Sequence, residues 1–103
     1  MSVKLGEISL AGVSHRVLMT TGFDTFKYYF TNYTIEKYNI DGVYLRLYFK
    51  EITTKDMEFP IDIIFLDKNN SILKRVYSVK PGMHIRAPFR TKYALELLPD
   101  VSL

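Results

Sequence analysis

The chain has 103 residues, 48% hydrophobic and 24% charged, with a formal net charge of +3; that suffices for one domain with one core over residues 1–103, and is too short for two. Cysteine is absent, which excludes disulfide scaffolds, thiol catalysis, iron–sulfur clusters and cysteine zinc sites. The two histidines, His15 and His84, are too few for a histidine-only metal site, and no cofactor is implied.

At the N-terminus, Met1-Ser2-Val3-Lys4-Leu5-Gly6-Glu7 lacks the apolar run of a signal peptide. No later stretch approaches the roughly 18 apolar residues of a membrane span. The expectation is a soluble, cytoplasmic protein with no membrane partner. Lys4 to Leu10 and Val13 to Thr20 read as two strands joined by a tight turn at Ala11-Gly12. In the second, Val13, His15, Val17 and Met19 share a face by the period of two.

Thr21 and Asp24 have the spacing of a capping box, and Phe23, Phe26 and Phe30 follow at helical intervals. A short helix to about Asn32 is predicted. Tyr33 to Asp41 is polar and reads as a loop or one irregular turn. Next comes strict alternation. Val43, Leu45, Leu47 and Phe49 point one way, and Tyr44, Arg46, Tyr48 and Lys50 the other, the pattern of a sheet with one dry and one wet face.

Ile61 to Leu66 is apolar on both faces after Asp62, so a central strand is expected, with Pro60 tolerated at its entrance. Asp67-Lys68-Asn69-Asn70-Ser71 is turn chemistry, and Ile72 to Val79 returns as the hairpin partner. Pro81-Gly82 marks another turn. Tyr93 to Leu98 is the last strand, with Tyr93, Leu95 and Leu97 on one side. Eight Tyr and seven Phe without Trp also favour strands. The fold class expected is mainly β: a small antiparallel barrel or sandwich of about six to seven strands with one short helix.

Lys55-Asp56-Met57 followed by Phe59-Pro60-Ile61-Asp62-Ile63-Ile64-Phe65-Leu66-Asp67 resembles the signature of domain-of-unknown-function family 192. There a similar Lys-Asn/Asp-x-x-x-Pro-Leu/Ile-Asp-Ile run precedes a hairpin. Gly42 to Phe49 resembles that family's glycine-led strand, and Tyr93-Ala94-Leu95-Glu96-Leu97 its late Tyr-x-Leu-Glu-Leu strand. The resemblance spans roughly Val13 to Pro99. The chain departs from the family pattern at Ile52-Thr53-Thr54 and at Tyr28-Tyr29-Phe30. The resemblance implies a small β-rich barrel-like domain and no particular reaction.

Asp62 is the first candidate site residue. As a functional group it is a ligand-binding carboxylate or general base tuned by burial and a cation. As a structural group it pairs with Lys55, Arg75, Arg86 or backbone N–H groups. The structural role is favoured, because no nucleophile accompanies it. Lys55, Asp56, Asp62, His84 and Arg86 form the candidate ligand-binding set. Asp56, Glu58, Asp62 and Asp67 follow no calcium-loop spacing, so no metal site is assigned. Tyr44, Arg46 and Tyr48 form a second candidate, a surface of rings and cations that suits unpaired bases and phosphates as well as an ordinary wet strand face.

Three functions remain. A small non-catalytic binding or interaction module is favoured, since no catalytic constellation stands out. A variant of it is a single-stranded nucleic-acid binder through the Tyr44/Arg46/Tyr48 face. The second is a small enzyme using Asp62 with Lys55, Arg86 or His84. The third is a homo-oligomer joined through the tyrosine face or the edge strands. The pI near 9.1 permits an acidic partner without requiring one.

Overall fold

The computed structural model describes residues 3–20, 30–48 and 50–99. Eight strands and one helix follow one another along them: β1 (Val3–Leu10), β2 (Val13–Thr20), α1 (Asn32–Tyr38), β3 (Gly42–Arg46), β4 (Glu51–Thr53), β5 (Ile61–Leu66), β6 (Ile72–Val79), β7 (His84–Arg86) and β8 (Tyr93–Leu97). Six form one sheet in the order β1-β2-β3-β8-β5-β6, and β4 and β7 form a separate ribbon. The mainly β class with one short helix is therefore observed. The main sheet is open, with β1 and β6 at its edges, and sandwich-like rather than a closed barrel.

Two hairpins flank this sheet. β1 and β2 pair antiparallel across Ala11 and Gly12, whose φ values of 49° and 80° match the two positive angles of a type I′ turn. β5 and β6 pair across the turn at Asp67, whose Oδ1 accepts the N–H groups of Asn69 (2.8 Å) and Ser71 (2.9 Å). Between the hairpins lie β3 and β8. β3 runs parallel to β2 and antiparallel to β8, so the sheet is mixed.

The helix expected from Thr21 to about Asn32 falls largely on residues 21–29, outside the described residues. A helix is found at Asn32–Tyr38, in the segment read as a loop. Its capping box is Thr31 with Thr34, and Asn39 ends it in the left-handed conformation. Glu58 accepts the Asn32 N–H at 2.8 Å, meeting one of the donors that a helix start leaves free. Ile35 and Tyr38, three residues apart, pack against the core beside buried Phe30 and Ile40. Tertiary burial outweighs the modest helix propensity of these residues.

Apolar residues are buried on both sides of the sheet. On one side Leu18, Val43, Leu45, Ile63, Phe65 and Ala94 meet Phe30, Ile52 and Met57. On the other, Val17, Ile64, Leu66, Leu95 and Leu97 meet Leu10. One dry and one wet face, as the alternation of β3 suggests, holds only for the exposed end of that strand. β5, buried along its whole length between β8 and β6, is the central strand expected. β3 stops at Arg46; Leu47 beyond it is half-buried, and Phe49 lies outside the described residues.

The ribbon covers the first face. Its Ile52 is buried and Ile85 packs on the same cluster. Buried Thr54 secures it: its Oγ1 accepts the Met83 N–H at 2.8 Å and donates to the Lys80 carbonyl at 2.7 Å. The Thr54 N–H also donates to the Met83 carbonyl at 2.8 Å.

Candidate functional site

The structure distributes the residues singled out from sequence. Asp62 is buried on β5, on the side of the sheet that carries Ile64 and its cross-strand neighbour Leu97. Its Oδ1 accepts the N–H of Ser78 at 2.7 Å. That donor sits at a register shift between β5 and β6, where Ser78 adopts a φ of 53°. The carboxylate thus meets a donor at an irregular point of the ladder, as bulges require. His84 and Arg86 belong to the ribbon, which packs on the opposite side of the sheet. His84 Nδ1 lies 3.3 Å from Glu51 Oε1, with both side chains mostly exposed. Lys55 and Asp56 occupy the exposed turn after β4. The sheet therefore separates Asp62 from the other candidates. Among the described residues no three His, Asp or Glu side chains gather where a metal ion could be held.

The Tyr44/Arg46/Tyr48 set also divides. Tyr44 is half-buried, stacked on Tyr93 with ring centroids 5.2 Å apart, and donates to Asn70 Oδ1 at 2.7 Å. Burial, then the neighbouring Tyr93, pushes its phenol up to about 12. Arg46 and Tyr48 are exposed, with the guanidinium 5.2 Å from the ring centroid.

Tyr48 and Arg86 instead meet in a cleft of about 620 Å³, a volume within the usual range for small-ligand sites. Lys50 comes from the segment entering the ribbon, Lys74 from edge strand β6, Arg86 from the end of β7, and Arg90 from the turn that follows. Among the described residues no Asp or Glu lines it. Four cations with no carboxylate form a strong local concentration in a chain whose net charge is only +3. Leu47, Ala87 and Pro88 supply apolar wall, and Phe89 stands at the rim.

Backbone hydrogen bonds hold this wall in place. The Ala87 N–H donates to the Lys50 carbonyl at 2.7 Å, tying the turn to the start of the ribbon. The Pro88 carbonyl accepts both the Thr91 N–H at 3.2 Å and the Thr91 hydroxyl at 2.7 Å. Arg90 takes a φ of 76°, so the tight turn leaves Phe89 89% exposed. The Arg90 guanidinium lies 5.9 Å from that ring's centroid. The cleft can attract and orient an anion; among the described residues its lining hydroxyls are those of Thr91 and Tyr48, and none of these residues brings a carboxylate or imidazole to serve as a base. Lys50 was read from sequence beside Tyr48 on the wet face of its strand; Lys74, Phe89 and Arg90 were not singled out. Lys74 is far along the chain from the other two, and the one local signal is the Pro88-Phe89-Arg90 turn, which sets a large apolar ring beside a cation.

A further buried carboxyl lies outside the cleft. Glu96 on β8 is fully buried between Val43 and Ile63, and neither of its oxygens has a hydrogen-bond partner among the described residues. Burial pushes its carboxyl up to about 8.

No family model matches the chain, and no curated protein matches it. Its fold is similar to that of a solved structure, a protein of unknown function from Novosphingobium aromaticivorans. The TM-score is 0.62 at 13% sequence identity, over 92% of this chain and 81% of that one. At that identity the likeness concerns the fold alone. No described helix is long and apolar enough to cross a membrane.

Proposed function

We propose that this protein is a non-catalytic binding module whose basic cleft takes an anionic ligand. The supporting observation is the cleft lining itself: Lys50, Lys74, Arg86 and Arg90 converge there, without one carboxylate among the described residues. Like charges brought together carry a repulsive cost, which an anionic ligand offsets. The separation of Asp62 from His84 and Lys55 weighs against the enzyme reading. Membership of family 192 remains a proposal beside this one, supported by the Lys55–Asp67 motif and the Tyr93–Leu97 strand.

Calorimetric titration with a heparin oligosaccharide at two salt concentrations tests the reading. Binding is expected at low salt and is expected to weaken steeply as salt rises. Lys74→Glu with Arg86→Glu should abolish it, while Lys55→Ala should leave it unchanged. No binding, or binding indifferent to the double substitution, would overturn the proposal.

A further inference from the structure

We infer that the anion is a single-stranded nucleic acid, with an unpaired base stacked on Phe89 and its flanking phosphates held by the cations of the cleft. The inference rests on the anion-binding reading above and adds the nature of the ligand. Three observations lead to it. Phe89 is the most exposed of the large hydrophobic residues among those described, at 89%, and its turn is hydrogen-bonded so that the ring stays presented. An exposed apolar ring contributes little burial to the fold, whereas every base offers a π-face to it. Tyr48, across the lining, presents a second ring that is also exposed.

The number of charges also exceeds what a single phosphate group matches. Four cations line the cleft, and the Arg46 guanidinium adds a fifth 5.2 Å from the Tyr48 ring centroid. A phosphate monoester carries a charge of about −1.5 to −2, so several linked phosphates match the site better than one. Rings interleaved with cations along an open groove are the arrangement that follows a flexible single strand, since bases paired in a duplex keep their faces stacked inside.

The test is fluorescence anisotropy with a labelled twelve-residue oligothymidylate, an abasic strand of equal length and a blunt duplex. Oligothymidylate should bind more tightly than either of the others. Phe89→Ala, at a site too exposed to affect folding, should weaken oligothymidylate by about 5- to 150-fold, the range for loss of one stacked base. It should leave the abasic strand unchanged. Lys74→Glu should weaken both strands and lower the dependence of log affinity on log salt by at least about 0.7. If the abasic strand or the duplex binds as tightly as oligothymidylate, or Phe89→Ala has no effect, the nucleic-acid inference is overturned while the anion cleft stands. If none of the three binds in a salt-dependent way and heparin also fails, the cleft reading falls with it.

Discussion

Glu96 carries an ionisable group in the least polar surroundings of the sheet. With its carboxyl pushed up to about 8 and an unfolded value near 4.5, the folded chain holds a proton that the unfolded chain has released. Between these values the native state binds more protons, so stability falls as pH rises, by up to roughly 1.4 kcal/mol per pH unit. It is fully present below about 4.5 and lost as pH passes through 8. Glu96→Gln retains the shape of the neutral acid without the titration. Urea unfolding from pH 5 to 9 should show the wild type losing stability relative to the Gln variant; parallel profiles would mean that the carboxyl is not the source of the slope. Sequence alternation put Tyr93, Leu95 and Leu97 on one side of β8, which leaves Glu96 on the other. It is buried because the ribbon and α1 cover that side, and neither packing is visible in β8 itself.

Short elements here depend on individual contacts that local pattern does not display. Gly42 opens β3, and a Cβ placed there would come within 2.0 Å of the Glu96 carbonyl oxygen. That neighbour is backbone and cannot rotate away. Gly42→Ala should therefore separate β3 from β8 and cost at least the ~1–3 kcal/mol typical of overpacking, measured by the denaturation midpoint. Thr54→Val keeps the shape of the ribbon anchor but leaves the Met83 N–H and the Lys80 carbonyl without their hydroxyl partner. A loss of about 1–3 kcal/mol is expected by the same measurement, and an unchanged midpoint would mean that water replaces the hydroxyl. The long strands β1, β2, β5, β6 and β8 were legible because period-two patterns, or in β5 a continuous apolar run, are bounded by turn residues over five to eight positions. β4 and β7 have three residues each, too few for a period to emerge, and α1 owes its stability to the core that receives Ile35 and Tyr38. The cleft was less legible still. Arg86 and Tyr48 were recognised separately, but only the packing of the ribbon beside β6 brings them to Lys74.

At the scale of the whole molecule the cleft exists only when the ribbon, the edge strand and the 87–91 turn are all in place. A ligand held there binds the folded state and not the unfolded one. A polyanion at 100 times its dissociation constant should add about 2.7 kcal/mol to stability, read as a rise in melting temperature that high salt removes. A rise of the same size in the Lys74→Glu, Arg86→Glu variant would place the binding elsewhere.

The strand order has a consequence for the protein's biogenesis. β8, last of the sheet strands along the chain, lies between β3 and β5. During vectorial synthesis the β1–β2–β3 half and the β5–β6 hairpin emerge first, each with an unpaired edge facing the gap that β8 will fill. Closing that gap requires contacts between segments far apart in sequence, which form slowly, and exposed apolar edges are open to wrong partners meanwhile. A nascent chain halted before Tyr93 is thus two sticky half-sheets, and the window in which a chaperone would be needed ends only when Leu97 leaves the ribosome.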